Sequence, residues 1–476
     1  MIDAATTPDD KTGPTSGGSG ALVRHMGLFS LVVYGVGDMV GAGIYGTVGE
    51  AAGALGNACW VAFAVSMVAA MLTGVSYASL ASRYPKAGGA AYITHRAYRF
   101  PFLSYMVGLT VAASGLTSMA AGSNVFSDNL MKFVAVPKWA LIVAFLAVLA
   151  AINFRGIKES IWTNLLCTGM EVGGLVFVII VGARFWGSVD YTETASGVPL
   201  TSAEGMKLIL NGTALTFFAF VGFEDMLNVS EEVNDPVRTM PRGLILSLIV
   251  VTALYITISV TAVSVVDSRQ LSDAKTYGAP LAQVTNKAAP WLSPWVFTAI
   301  TLFAVANTAL INYIMGSRLL YGMARQGLVP AALGRVHSRR RTPHVAIGVL
   351  FVIVLALGLA GGVKQLASAT ALLLLACFVL VNGALVVLKR RPAEPRGAFE
   401  IPVVVPILGM LVCAGLIIGR LLTRNAQGQY EWQAPAIALG LAAGIALLYA
   451  VLRPRNIDER TLSAAEGAGA SEARPS

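Results

Sequence analysis

Apolar residues arrive along this chain in long blocks separated by short polar stretches. Twelve blocks run near residues 28–52, 57–81, 101–126, 139–154, 161–186, 207–230, 243–266, 295–321, 345–361, 366–388, 402–423 and 434–452. Most approach the roughly 20 residues that an α-helix needs to cross a hydrocarbon core about 30 Å thick. The pattern predicts an all-α membrane protein with twelve transmembrane helices. An even number of crossings puts both termini on one side. Basic residues choose that side, because short cytoplasmic loops collect Lys and Arg. With the termini inside, the cytoplasmic segments hold 23 Lys and Arg and the outer segments 10, while Arg318 falls within block eight. A multi-pass protein of the cell membrane with both termini cytoplasmic is expected.

Composition agrees with the blocks. The 476 residues are 56% hydrophobic and 12% charged, with a mean hydropathy of +0.70, too little charge for a soluble chain of this length. The net charge of +9 does not point to nucleic acid, because the basic residues sit in the short loops that set topology. Cys59, Cys167, Cys377 and Cys413 lie inside apolar blocks, without metal-ligand spacing and away from outer loops where a disulfide would form. His25, His95, His337 and His344 read as loop residues and make no metal cluster. The first block lacks a small-residue cleavage site and reads as part of the mature fold. The Gly/Ser/Thr/Pro-rich start and the Ala/Glu/Ser-rich end read as disordered tails.

Two blocks are poor continuous helices. Block one reads Gly35-Val-Gly-Asp-Met-Val-Gly-Ala-Gly-Ile-Tyr-Gly46, and Gly41-Ala42-Gly43 is its expected break. Block six reads Thr216-Phe-Phe-Ala-Phe-Val-Gly-Phe-Glu-Asp225, with Gly222 as its break. Backbone freed in lipid is tolerated only where it lines a cavity or binds something. A half-helix that restarts after a break aims N–H groups at the site, which suits a carboxylate; the half that ends offers carbonyls, which suit a cation or an ammonium. The breaks lie five blocks apart, so blocks 1–5 and 6–10 read as two inverted halves with a site between them. The competing reading of the glycines is a close-packing helix face.

These stretches, with several others, carry a family resemblance. The others are Tyr77-Ala-Ser-Leu-Ala-Ser-Arg-Tyr-Pro-Lys-Ala-Gly-Gly-Ala90, Asn153-Phe-Arg-Gly156, Phe217 to Pro241 with Glu232, Asp235-Pro236 and Met240-Pro241, and Ser317-Arg-Leu-Leu-Tyr-Gly-Met-Ala-Arg325. In this order and spacing, over about residues 25 to 345, the chain resembles the amino acid–polyamine–organocation (APC) superfamily of permeases. The resemblance implies a leucine-transporter-type fold of two inverted five-helix repeats plus two extra helices. The expected organisation is a cytoplasmic tail at 1–24, a transport core at 25–390 with repeats near 25–190 and 205–390, helices 11–12 at 400–453, and a second tail at 454–476. It also implies that Gly41, Ala42 and Gly43, with Ile44 beside them, hold a substrate α-carboxylate. Carbonyls of Phe217, Phe218, Ala219 and Phe220, ahead of Gly222, would receive the α-amine, and Phe218 would gate the occluded substrate. Glu224 matches the motif of helix 6, within the bundle and its gating.

Ionisable groups at membrane depth mark a pathway or a partner by default. Asp38 lies just before the first break, where a small or neutral residue is common in the family. Three readings compete for it: a ligand for a coupling cation, a ligand for a substrate ammonium, and a cap for backbone freed by the break. Glu171 stands on helix 5 near the place of a lysine in some proton-coupled relatives, where sodium binds in sodium-coupled ones. Burial disfavours the charged form of a carboxyl, so Glu171 can carry a proton; beside Asp38 it could equally make a Na⁺ site. Asn307 and Thr308 lie mid-span in helix 8, as ion ligands or as interhelical glue. Asp225 reads as structural. Glu231 and Glu232 with Arg238 and Arg242, and Arg83 with Lys86, are either a closing charge network or a solvated positive-inside loop.

The expectation is a secondary active transporter of amino acids, working as a proton-coupled symporter by alternating access. The alternatives are an amino acid/amine antiporter or a polyamine or ethanolamine carrier. From another class, the chain could be a channel or a transport-dead sensor; a channel would need a continuous polar file and ring symmetry, which the sequence does not display. No nucleophile–base pair or phosphate loop points to an enzyme, and nothing calls for a cofactor. The partners expected are a small amino acid or amine, a proton or Na⁺, and the lipid bilayer; the sequence assigns no oligomeric state.

Overall fold

A computed structural model describes residues 24–131, 133–277, 279–360, 363–422 and 432–452. The predicted tails lie outside these residues, Arg24 excepted. Among the described residues the chain is helical, and its one β pairing is an isolated bridge between Met26 and Val233. The helices are α1 Leu28–Leu55, α2 Cys59–Arg83, α3 Gly89–Tyr98, α4 Pro101–Leu130, α5 Lys138–Arg155, α6 Ile157–Gly182, α7 Ala203–Phe217, α8 Pro236–Val265, α9 Ser268–Ser272, α10 Ala274–Tyr277, α11 Pro280–Ala288, α12 Pro294–Arg325, α13 His344–Ala360, α14 Val363–Lys389, α15 Val404–Leu421 and α16 Gln433–Leu452. Eleven stretches among the described residues are long and apolar enough to cross a membrane. The ninth predicted span, α13, is apolar throughout but has 17 residues, about 25 Å of helix against a core of about 30 Å.

The blocks fold as helices because they are long apolar runs with few interior breakers, apart from the two places already singled out and Pro241 in α8. Pro241 is the sixth residue of α8, inside the helix, and leaves the Val237 carbonyl without its i→i−4 donor. Two connections hold structure that periodicity did not predict. The first inner loop contains α3, whose His95 is buried, so this histidine is helical rather than a loop residue. The connection after α8 folds into α9, α10 and α11.

Burial follows a bilayer logic. Val148, Leu166, Ile180, Leu439 and Val451 are large, apolar and exposed, whereas Asp38, Glu171, Glu224, Asp225 and Arg318 are buried. Charged groups inside a spanning bundle face its interior. Helix α1 packs against α6, α8 and α12, α2 lies along α8, and α4 lies along α12. Helices α15 and α16 pack on α14 at the periphery and stay mostly exposed. Trp139, Trp291, Trp295 and Trp432 are exposed at helix ends or in adjoining connections, the position of interfacial anchors.

Candidate functional site

Both expected breaks are present. In α1 the helical path is interrupted at Gly41, with φ −18° and ψ −162°. Helix α7 ends at Phe217, continues as a 3₁₀ turn over Phe218–Phe220, and opens into extended backbone at Val221. Gly222 then takes φ 129°, a conformation open to glycine but strained for other residues, and a 3₁₀ segment runs over Phe223–Glu232. The breaks meet inside the bundle. A Cβ on Gly43 would stand 3.7 Å from Ala219 Cα, and one on Gly222 would stand 3.1 Å from Asp38 Cγ. Tyr255 of α8 joins them: its hydroxyl lies 2.6 Å from the Met39 carbonyl and 2.8 Å from the Ala219 carbonyl, one acceptor on each broken helix. A buried carbonyl without a partner costs free energy, so this hydroxyl compensates part of the unwinding.

A polar cluster fills the space between α1, α6 and α12. Asn307 Nδ2 lies 2.8 Å from Thr168 Oγ1, 3.3 Å from Glu171 Oε2 and 3.5 Å from the Gly37 carbonyl. Asn164 Nδ2 donates to Asn307 Oδ1 at 2.8 Å and lies 3.2 Å from Thr168 Oγ1. These side chains are buried, and the second carboxyl oxygen of Glu171, Oε1, has no hydrogen-bond partner among the described residues. Thr308 lies against the break itself, because a Cβ on Gly41 would strike its hydroxyl. The arrangement can hold a proton on Glu171 or present its carboxylate to a small cation beside the Gly37 carbonyl.

A second acid cluster stands on another side of α1. Asp38, Glu224 and Asp225 are all buried and face one another. Glu224 Oε2 accepts the Gly222 amide at 2.9 Å, which fixes the chain just past the second break. Asp38 Oδ2 has no partner among the described residues. Asp225, read from the sequence as structural, belongs to this cluster.

Below the acids lies a buried ion pair that the sequence did not assign. Arg318 of α12 is fully buried and grips Glu232 with two contacts of 3.2 Å. It also donates to Asn153 Oδ1 at the end of α5 and to Ser317 Oγ at 2.8 Å. The main-chain carbonyl of Glu232 accepts the amides of His25 at 2.9 Å and Met26 at 3.0 Å, tying the entry to α1 to the segment after the second break. Glu232 therefore pairs with Arg318 rather than with Arg238 or Arg242. Glu231 accepts the Ala87 amide at 3.0 Å and lies 3.9 Å from Arg325. Arg83 forms a two-pronged pair with Glu400, which also takes Lys389 at 2.5 Å. Partial burial works to raise the Glu400 carboxyl, but hydrogen bonds from Arg83, Lys389 and the Gly397 amide outweigh it and hold it at about 2.

The remaining expected site residues lie at the breaks. Ile44, Phe217, Ala219 and Phe220 are buried, and Phe218 is half-buried with its ring edge-on to Phe217 at 6.3 Å. Ala42 is placed within the restarting half of α1, and its side chain lies outside the described residues. Sequence reasoning passed over Asn164, Tyr255 and Arg318, and cited Thr168 and Asn153 only within motifs. One signal was available: Asn164, Thr168 and Glu171 recur at helical spacing as a polar stripe along α6. A shallow apolar groove on α16, lined by Ile437, Leu441 and Leu448, lies away from these groups.

A family described as "Amino acid permease" matches residues 26–446. The branched-chain amino acid permease BcaP of Bacillus subtilis is 27% identical over 427 residues, covering 84% of this chain and 89% of that protein. An uncharacterized transporter of Mycobacterium tuberculosis is 30% identical over 424 residues, covering 89% of this chain and 91% of the relative. A vacuolar cationic amino acid transporter, number 4 of Arabidopsis thaliana, is 30% identical over 397 residues, covering 78% of this chain and 64% of the relative. The relatives are named as permeases and transporters rather than enzymes, and the chain, with its many apolar spans, broken helices and matched length, is a multi-pass membrane protein of the amino acid permease family within the APC superfamily.

Proposed function

We propose that this protein is a secondary active amino acid transporter of the cell membrane, working by alternating access and coupled to protons, with both termini in the cytoplasm. The observation that carries the reading is the meeting of the two breaks, with Gly43 against Ala219 and Tyr255 bridging Met39 to Ala219. Amides after Gly41 suit an α-carboxylate, and carbonyls at Phe217–Phe220 suit an α-amine. Phe218 borders this space and is the proposed gate, with Glu224 fixing the backbone behind it. Glu171 is the proposed proton carrier, oriented by Asn307 and Thr168, with Thr308 against the break.

The proposed architecture is twelve spans in two inverted repeats of five plus two peripheral helices. Three features support it. The first span of each half is broken. Second packs on second as α2 on α8, and third on third as α4 on α12. Extra short helices follow the second span of each half, α3 in one and α9–α11 in the other. The relatives named for branched-chain and cationic amino acids support amino acids as the substrate class.

The test is uptake of labelled amino acids into proteoliposomes under an imposed pH gradient or an imposed Na⁺ gradient, for the intact protein and Glu171→Gln. Uptake driven by inward protons and lost in Glu171→Gln is expected. Uptake that ignores both gradients but rises with internal amino acid would replace symport with exchange.

A further inference from the structure

The acid cluster around Asp38 is not used by the proposed proton step. Asp38, Glu224 and Asp225 each expose only a few per cent of their surface, and Asp38 lies against Gly222, whose amide Glu224 accepts. The nearest buried cation on this side, Arg318, is engaged by Glu232 and Asn153. Three carboxyls crowded into a low-dielectric site cannot all stay ionised on their own: they share protons, as Asp38 and Asp225 do through a side-chain hydrogen bond, or take a cation among them.

A second observation points the same way. Tyr34 stands about one helical turn before Asp38 on α1, is 2% exposed, and its hydroxyl has no hydrogen-bond partner among the described residues. Tyr77, fully buried on α2, packs edge-on against Phe223, the residue before Glu224, at 5.6 Å, with its hydroxyl also unpartnered. Buried hydroxyls and carboxyl oxygens of this kind are normally satisfied. Here Asp38 Oδ2 and two tyrosine hydroxyls share a neighbourhood without partners of their own.

The cluster also lies within reach of the break. Asp38 precedes Gly41 by three residues, about 4.5 Å along a helix, and its carboxyl touches Gly222 at the other break. The four-carbon stem of a lysine reaches roughly 6 Å, so an amino acid held by its α-groups at the two breaks can set a terminal ammonium among these acids.

We propose that Asp38, Glu224 and Asp225 form a binding site for the cationic end of a substrate side chain, so that this transporter selects amino acids carrying an alkylammonium, such as lysine or ornithine. This rests on the transport reading above and adds the side-chain class to it. An alkylammonium supplies the missing positive charge together with three donors, one for each carboxyl.

The experiment compares binding of lysine and norleucine, which share a chain length and differ in the terminal ammonium, to purified full-length protein by competition against one labelled amino acid. Lysine is expected to bind at least tenfold more tightly, and Asp38→Asn to lower that ratio by about tenfold. If Asp38→Asn binds neither, Glu224→Gln and Asp225→Asn are read by the same ratio; loss of all binding in all three would mark the cluster as framework and overturn the proposal. Equal binding of lysine and norleucine by the intact protein would overturn it too. So would Na⁺-stimulated norleucine binding that Asp38→Asn abolishes, which would assign the acids to an inorganic cation. If the intact protein bound no amino acid, the transport reading itself would fall instead.

Discussion

Arg318→Met tests the buried ion pair below the two breaks. The side chain of Arg318 is 0% exposed and that of Glu232 is 2% exposed. Removing the guanidinium strands a buried carboxylate and takes the partner of Asn153 as well. Breaking a buried pair from one side costs about 3–5 kcal/mol, because the remaining charge keeps its desolvation penalty and loses its attraction. Unfolding entropy of about 2.1 cal/mol/K per residue, over 476 residues, is about 1 kcal/mol/K, so the expected fall in apparent Tm is about 3–5 °C. The double variant Arg318→Met/Glu232→Met removes both charges and fills a similar volume. It should regain most of that loss. Thermal unfolding of purified protein, followed by the monodisperse fraction surviving each temperature, reads the intact protein, Arg318→Met, Glu232→Met and the double variant. A single variant as stable as the intact protein, or a double variant that loses the sum of its two singles, would show that Arg318 and Glu232 do not act as a pair.

Three further outcomes follow from named contacts. Gly37→Ala places a methyl 2.5 Å from Asn307 Nδ2 and still closer to the Thr168 hydroxyl, so it should cost about 1–3 kcal/mol through overpacking and cut uptake by at least tenfold; normal uptake would mean the cluster yields freely. Tyr255→Phe leaves the Met39 and Ala219 carbonyls without that hydroxyl and should cost about 1–3 kcal/mol, measured as a lower apparent Tm; an unchanged Tm would mean the hydroxyl does not support the breaks. Glu400 is depressed from 4.5 to about 2, so the stability it adds is present above about pH 4.5 and disappears as pH falls toward 2. Because this carboxyl keeps contact with solvent, the contribution is about 1 kcal/mol at most. Glu400→Gln should accordingly be less stable than the intact protein at pH 7 and no different near pH 2; a gap that persists at low pH would contradict the sign.

The spans were legible because lipid imposes length and apolarity on a helix whatever its neighbours do. The breaks were legible because glycine at Gly41, Gly43 and Gly222 contradicts that demand. What the sequence hid was partnership. Glu232 has Arg238 and Arg242 nearby in sequence, yet it pairs with Arg318, 86 residues away, because α12 brings a fully buried guanidinium to the place where water cannot compensate the carboxylate. Glu400 and Glu394 follow the same rule, reaching back to Arg83 and Arg96 from a connection that reads as an ordinary polar loop. Short helices such as α3 and α9 escaped notice because 5 to 10 residues give too few turns for a period to stand out.

The first half of α1 explains why the site itself was only half readable. The Cβ direction of Gly37 points at Thr168 and Asn307, while Asp38, the next residue, sets its carboxyl against Gly222 beside Glu224 and Asp225. Consecutive helical positions point about 100° apart, so one half-helix separates two acid clusters that share no hydrogen bond. An amphipathic pattern exists where one face meets polar surroundings and the other meets apolar ones. From Tyr34 to Gly41 this half-helix is buried on every side, meets polar groups on two of them and packs Val36 and Val40 into the core on the rest. No single period describes such a segment. The ionisable residues were therefore found singly, by the cost of placing charge in a membrane, and only the fold could say that Glu171 belongs with Asn307 and Thr168, and Asp38 with Glu224 and Asp225.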